Sequence, residues 1–324
     1  MKQVVITGAT GFLGGYLVKE FVANGYKVIA IGRNAARLAE LADTHVETIA
    51  ASLAELAGIK IETDFVVHAA ALSTVWGSWE KFYINNVKGT MQVASFCKLN
   101  NVQRLVYVSS PSIYAKPTNM LDINEAMVDP HNRLNNYIRS KIAAEAYITK
   151  YFRDITVILR PRGLIGPGDT SIAPRLIRAN AVFGIPLFNN GSNLVDLTCV
   201  ENVALACRLS VESSEAAGNI YNISNGTPLP IKELCESLFE AIGQKPRFRK
   251  RNAKVLYAVA GLIELIYHSL GITKEPPITR YIVTTLAYSQ TLSITHARHD
   301  LGYMPVVPIA EGIKRYAEAS YAEA

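Results

Sequence analysis

The 324-residue sequence contains no apolar run long enough to cross a bilayer. Its longest candidate, Val255–Leu270, spans 16 residues and is broken by Glu264 and His268, against the roughly 20 residues a spanning helix needs. The opening Met-Lys-Gln-Val-Val-Ile-Thr-Gly offers only Val4–Ile6 as an apolar core. That is too short for a signal peptide, and no small-residue cleavage site follows, so a cytoplasmic location is expected. Cysteine is scarce: Cys97, Cys199, Cys207 and Cys235 are scattered without ligand spacing and read as buried small hydrophobes, not a disulfide scaffold. His296 and His299 form an HxxH with no Cys or Glu at ligand spacing, so they read as a surface pair and no metal is expected. Internal repeats and low-complexity linkers are also absent.

Acidic residues are missing from one place in particular. Lys245, Arg247, Arg249, Lys250, Arg251 and Lys254 fall in one ten-residue stretch without an acid, and outside it bases and acids balance, although the net charge is +6. A general nucleic-acid surface is therefore excluded, and the basicity needs a local explanation. With 49% hydrophobic and 19% charged residues, the chain can bury a large core.

The first half alternates short apolar, β-branched runs with helical patterns. Strands are predicted near Gln3–Thr7, Lys27–Ile31, Val46–Ala50, Asp64–Ala69, Arg104–Ser109 and Thr156–Arg160, with helices near Phe12–Asn24, Ala35–Leu41, Glu80–Asn100 and Asn136–Tyr151. This is the pattern of an α/β fold, a Rossmann-type doubly wound parallel sheet with helices on both faces. After Pro161 the chain turns Gly- and Pro-rich, with helices predicted near Ala173–Phe183, Val200–Val211 and Pro230–Ile242 and a short strand near Asn219–Ile223. The expected division is a dinucleotide-binding domain over 1–165 and a smaller C-terminal α/β substrate lobe over 166–324, with the chain crossing back near 195–212.

Gly8-Ala9-Thr10-Gly11-Phe12-Leu13-Gly14 follows the first predicted strand and opens the first predicted helix. In that context Gly8 permits a tight turn, Gly11 lets backbone approach a pyrophosphate, and Gly14 allows close helix–strand packing. The helix N-terminus then faces the phosphates. The second strand ends Ile31-Gly32-Arg33, with Arg37 one turn on. An acid there would bind a free ribose 2′-hydroxyl, whereas an Arg suits a 2′-phosphate, so NADP is favoured over NAD. The plainer alternative is that Arg33 is a solvated residue after a strand.

Tyr137 and Lys141 are four residues apart and share a helix face. Lys141 is expected to lower the phenol's pKa, so that Tyr137 exchanges a proton with a carbonyl or alcohol oxygen. Such a spacing also arises by chance; its position between the fifth and sixth strands gives it weight. Ser109 and Ser110 close the fifth strand at the ligand-binding end of the sheet. Ser110 is expected to orient the reacting oxygen, with Ser112 the better candidate for a turn cap.

Thr7-Gly-Ala-Thr-Gly-Phe-Leu-Gly14, Val67-His-Ala-Ala-Ala71, Asn86-Val-Lys-Gly-Thr90, Ser109-Ser110, Tyr137-x-x-x-Lys141 and Leu159-Arg-Pro-Arg-Gly-Leu-Ile-Gly-Pro-Gly-Asp169 appear in order. With them the sequence resembles an extended short-chain dehydrogenase/reductase over essentially its whole length. The resemblance implies a catalytic set of Ser110, Tyr137 and Lys141. It implies a cofactor lined by Gly8, Thr10, Gly11, Phe12, Leu13, Gly14, Arg33, Ser52, Leu53, Ala69, Ala70, Ala71, Asn86, Ser109, Tyr137, Lys141, Pro161 and Leu164. One departure is Ala51-Ser52-Leu53, where the family commonly has an Asp before the Leu to meet the adenine; Ser52 is left to hydrogen-bond there instead. His68-Ala-Ala-Ala-Leu-Ser-Thr-Val-Trp-Gly-Ser-Trp79, Arg160-Pro-Arg162, Gly191-Ser-Asn-Leu-Val-Asp-Leu-Thr-Cys-Val-Glu-Asn202, Pro276-Pro277 and Leu301-Gly-Tyr-Met-Pro305 are similar to the 3β-hydroxysteroid dehydrogenase branch, near the bacterial 2-alkyl-3-oxoalkanoate reductases.

That branch implies interconversion of a ketone and a secondary alcohol on a hydrophobic 3-oxo or 3β-hydroxy substrate, in a homodimer paired through the helices near 80–100 and 136–151. The segment 255–270 is then first a core or dimer helix, second a wall of an apolar pocket, or a helix on a membrane surface with its basic neighbours on anionic head groups across 247–270. Two other functions fit the fold: a sugar-nucleotide epimerase or dehydratase with tightly held NAD, and a non-catalytic nucleotide-binding sensor or assembly factor.

Overall fold

Runs of Val, Ile and Leu without a polar face are stable as strands only when covered on both sides. The computed structural model, which describes residues 1–322, places each such run inside one parallel sheet. Its strands are β1 (Gln3–Thr7), β2 (Lys27–Gly32), β3 (Val46–Ala50), β4 (Phe65–His68), β5 (Arg104–Val108), β6 (Thr156–Pro161) and β7 (Ile220–Ile223). They pair in the order β7-β6-β5-β4-β1-β2-β3, all parallel. The strand order reverses between β1 and β4, and ligands of such sheets bind beyond the carboxyl ends at that reversal.

The longer helices are α1 (Phe12–Ala23), α2 (Gly89–Leu99), α3 (Asn136–Tyr151), α4 (Ile172–Val182), α5 (Val200–Glu212), α6 (Ile231–Ala241), α7 (Ala253–Ser269), α8 (Arg280–Ala287), α9 (Thr295–Leu301) and α10 (Ile309–Ala322). On one face, Leu17 and Phe21 of α1 share a core with Val203 and Cys207 of α5. On the other, Val93 and Phe96 of α2 cover Val5, Ile29 and Val66. All four cysteines are buried free thiols. The HxxH histidines are exposed and pair separately, His296 with Glu125 and His299 with Asp300.

The two lobes interleave more than a boundary at 165 implies. The strand expected near 219–223 is β7, an edge strand of the main sheet, and α5 and α9 both pack into the same core as α1. In exchange, Met120–Ile123 leaves the first half to join Leu229–Pro230, Leu194–Val195 and Gln290–Leu292 in a four-stranded sheet of the smaller lobe. A second core there joins Leu176 of α4, Leu238 and Phe239 of α6 and Ile313 of α10.

The helix expected over 80–100 is not uniform. A turn at Trp79–Phe82 passes into a π-helical segment, Tyr83–Lys88, before α2 begins. One extra residue per turn shifts the face that follows, and such segments cluster at functional sites. Here the segment carries Asn86.

Candidate active site

The glycine turn has the shape its sequence implies. Gly8 adopts φ +75, and a Cβ there would lie 2.8 Å from Ala70 Cα. The chain leaving β4 through Ala69 and Ala70 therefore runs directly against the turn. A Cβ on Gly14 would overlap the Gly8 carbonyl oxygen, so only glycine lets α1 start this close to β1. Gly11 begins α1 with no side-chain cap, which leaves first-turn N–H groups for an anion. Leu13 packs into the core below, while Phe12 stacks edge-on with Tyr16 at 5.9 Å. At the end of β2, Arg33 is exposed and Arg37 reaches back to donate to the Thr10 carbonyl at 3.4 Å. Ser109, the last residue before the β5 turn, has a buried hydroxyl with no partner. An uncapped helix, a cradle that a Cβ would fill and an unpaired buried hydroxyl fit a dinucleotide lying across the switch point.

Two residues behave differently from expectation. Ser52 does not hold its hydroxyl out for an adenine. It forms a capping box at Leu53–Leu56, donating to Glu55 Oε2 at 2.6 Å while accepting from the Glu55 amide. Asn86 uses its side chain on the loop after β4, accepting from Leu72 N at 2.8 Å and donating to Leu72 O and to Ser140 Oγ. It fixes the loop that lines the site. Ala71 is exposed on that loop, and Pro161 and Leu164 lie on the segment leaving β6.

The residues expected to form the catalytic set lie where β5 meets α3. Asn135 caps α3 by accepting from Ile138 N at 2.8 Å, which places Tyr137 in the first turn. The Tyr137 phenol lies near the Ser110 side chain, which acts on it. Ser110 Oγ also lies 2.8 Å from Ser112 Oγ and accepts from Ser112 N. The capping role expected of Ser112 thus belongs to Ser110, because Pro111 presets the first residue of the turn Pro111–Tyr114.

Lys141 is fully buried but does not touch Tyr137. Its ammonium donates to the Val108 carbonyl at 2.9 Å and to Tyr107 Oη at 3.3 Å. Burial draws its pKa down to about 8, with Glu145 opposing. Tyr137 is pushed up to about 12 by burial, with the nearby Ser110 hydroxyl opposing. The expected lowering of the phenol is therefore absent from this arrangement. A buried ammonium seeks the nearest carbonyl, and Tyr137 stays protonated at neutral pH. In that form it has a proton to give.

Several contributors were not apparent from sequence. His68 lies buried under the site between Thr7 Oγ1 at 2.7 Å and Thr90 Oγ1 at 3.1 Å, stacked on Tyr107. Burial, then the nearby Lys141, lowers its pKa to about 3, so it is a neutral floor beneath the ammonium. Tyr281 on α8 comes near Ser112 and acts electrostatically on Tyr137. Arg162 is buried, donates to Gln290 Oε1 at 3.0 Å and forms no ion pair; Asp196 acts on it from beyond ion-pair distance. Gln290 Nε2 is left without a partner. Arg160-Pro-Arg162 was visible as a motif, but its two arginines do different things. Arg160 ties to Glu145, and Arg162, just past β6, reaches Gln290 on a strand of the smaller lobe. Among the described residues no cluster of metal-ligating side chains forms.

The profile of the NAD dependent epimerase/dehydratase family matches residues 4–224. A 2-alkyl-3-oxoalkanoate reductase of Stenotrophomonas maltophilia is 34% identical over 99% of this chain and 100% of its own length. A 3beta-hydroxysteroid-dehydrogenase/decarboxylase of Arabidopsis thaliana is 30% identical over 97% of this chain and 61% of its own. The crystal structure of the UDP-glucuronic acid 4-epimerase of Bacillus cereus in complex with NAD superposes with a TM-score of 0.76 at 20% identity, covering 99% of both chains. That likeness shows the fold.

Proposed function

The chain belongs to the NAD dependent epimerase/dehydratase family, and from that premise we propose that it is an NADP(H)-dependent oxidoreductase that reduces the ketone of a lipophilic 3-oxo acid to a secondary alcohol. The observation that carries the reading is the placement of Ser110 at the carboxyl end of β5 and Tyr137 in the first turn of α3, with buried Lys141 four residues on, held to the Val108 carbonyl, and the glycine cradle across the switch point. When bound, the nicotinamide dinucleotide supplies the hydride that converts the carbonyl carbon to a carbinol carbon.

The chain's own residues do the rest. Tyr137 Oη, protonated at neutral pH, gives its proton to the substrate oxygen, and Ser110 orients that oxygen. Lys141, one helical turn on from Tyr137, keeps a buried positive charge on the same side of α3, and with a pKa of about 8 it is mostly protonated at neutral pH. The protonated phenol carries the proton that the carbonyl oxygen takes up on reduction.

Arg33 and Arg37 beside the glycine turn support the 2′-phosphate form of the cofactor. Arg33→Ser is expected to lower kcat/KM for NADPH by about 10–100-fold, the loss of charge-assisted hydrogen bonds, with NADH nearly unchanged. Equal losses with both cofactors would refute the preference.

Arg162 supports a substrate that carries a carboxylate. It is a buried guanidinium with no acid at contact distance, it neighbours Tyr281 at the Ser112 side of the catalytic set, and the unpaired Gln290 amide beside it adds a donor. Arg162→Met is expected to raise KM for a 2-alkyl-3-oxo acid by about tenfold or more and to leave KM for the corresponding methyl ketone unchanged. The opposite pattern would remove the carboxylate from the reading.

A further inference from the structure

The helix α7 was expected first as a core helix, and the structure does not bury it. Only Ala260 and Glu264 are buried. Glu264 anchors it to α8, accepting from Arg280 N at 2.7 Å and from Arg280 Nε at 2.6 Å, while Leu256 and Tyr257 pack towards Phe188, Val283 and Ala287. The opposite face is a stripe of Val255, Val259, Leu262 and Ile266, continued by Leu270, with Leu265 at its flank, all exposed. These positions follow i, i+4, i+7, i+11 and so lie on one side of the helix. Leu265 is 62% and Leu270 69% exposed. A contiguous apolar face of this kind marks an interaction site.

The charge beside it narrows the occupant. All six cations between Lys245 and Lys254 are exposed, and among the described residues none forms an ion pair. They crowd the positive end of α7, whose first turn holds no acid, where like charge is unfavourable without a counter-anion. The strand Phe248–Lys250 pairs with Ile185–Leu187, which brings in a second apolar tip: Phe183, 68% exposed, and Val182 next to it. A cationic band flanked by two apolar projections suits anionic head groups over an acyl layer. A second copy on the same face is disfavoured, since a two-fold contact brings the cationic bands near one another. No helix among the described residues is long and apolar enough to cross a membrane, so the contact is peripheral.

The surface also connects to the catalytic set. Trp76, on the loop after β4, stacks on His268 at 4.4 Å and donates to the Ile272 carbonyl at 3.1 Å. The next residue, Gly77, accepts from Asn136 Nδ2 at 2.9 Å, and Asn136 precedes Tyr137. The carboxyl end of α7 therefore sits on the loop that borders the site.

We infer that the α7 stripe, the Phe183 tip and the 245–254 cations form a docking face for an anionic lipid bilayer, placing the active-site loop at the membrane surface. That a lipophilic substrate passes from bilayer to site along this edge rests on the ketoreductase reading; the docking does not. The test is co-sedimentation of the full chain with phosphatidylcholine vesicles and with vesicles of phosphatidylcholine and phosphatidylglycerol in equal amounts. Binding is expected only to the anionic vesicles and falls at high salt. Arg247→Glu/Arg249→Glu/Lys250→Glu is expected to weaken partitioning by about 100-fold or more, and Leu262→Ser/Ile266→Ser by about tenfold or more. Both variants are expected to keep their circular dichroism melting curve and their turnover of a short, water-soluble ketone. Wild-type protein that ignores anionic vesicles, or that binds them equally after both sets of substitutions, overturns the proposal. So does a dimer that Leu262→Ser/Ile266→Ser dissociates, which would give the face to a second copy. Vesicle binding without any ketone reduction would sink the catalytic reading and leave the docking intact.

Discussion

Tyr137→Phe is expected to lower kcat by about 10²–10⁴-fold, the usual contribution of a positioned acid, while the dissociation constant for NADPH changes little. The substitution removes one oxygen. Ser110 keeps its contact with Ser112, and Lys141 keeps Val108 O and Tyr107 Oη, so the pocket survives without its proton donor. Fluorescence titration with NADPH separates this outcome from a collapsed site. Retention of full activity with tight cofactor binding would eliminate Tyr137 as the acid.

The second large effect is on stability. Arg160 and Glu145 form a buried pair, Nε to Oε1 at 3.0 Å and the terminal nitrogen to Oε2 at 2.6 Å, with side chains only 3% and 8% exposed. Arg160 also donates to Tyr114 Oη and to the Glu125 carbonyl, and so ties the end of β6 to α3 and to the loop beyond β5. Glu145→Ala leaves this guanidinium buried with no carboxylate and is expected to cost about 3–5 kcal/mol in chemical denaturation. Glu145→Leu combined with Arg160→Met is expected to recover part of that loss, because the uncompensated charge is gone. Recovery stays incomplete, since Tyr114 and Glu125 lose a donor. A single substitution costing under about 1 kcal/mol would mean that the pair is solvated, as surface pairs are.

Arg160 also illustrates what sequence could and could not reveal. β1 to β6 were legible because a run such as Val4-Val5-Ile6 has no polar face and must be covered on both sides. The glycine turn was legible because Gly8 and Gly14 are needed by local geometry alone. The strands Met120–Ile123 and Gln290–Leu292 were not, since each is short and finds its partner more than 150 residues away, which no local period records. The π-helical segment at Tyr83–Lys88 was hidden for a related reason: one extra residue in a turn does not alter composition.

The site shows the same division. Ser110, Tyr137 and Lys141 converge on the end of β5 as their spacing implied. The partner of Lys141 was misjudged, because a helical period places two side chains on one face but says nothing of a carbonyl on the neighbouring strand. Tyr281 comes from a distant helix whose sequence carries no local mark. For α7, an apolar pattern nearly all round argued for burial, and the structure exposes half of it. The discrepancy is informative, since the described residues supply no cover for that face and no ion-pair partner for the cations next to it.

Hydride transfer to the ketone carbon of a lipophilic 3-oxo acid is the proposed reaction. Its most direct test is incubation with NADPH deuterated at the transferable position of nicotinamide C4 and a 2-alkyl-3-oxo acid, followed by mass spectrometry of the product. The expected product is a 2-alkyl-3-hydroxy acid with one deuterium at the carbinol carbon, formed with NADPH in preference to NADH and lost in Tyr137→Phe. A protein that transfers no deuterium, carries a non-exchanging NAD through purification and interconverts sugar nucleotides instead would contradict it.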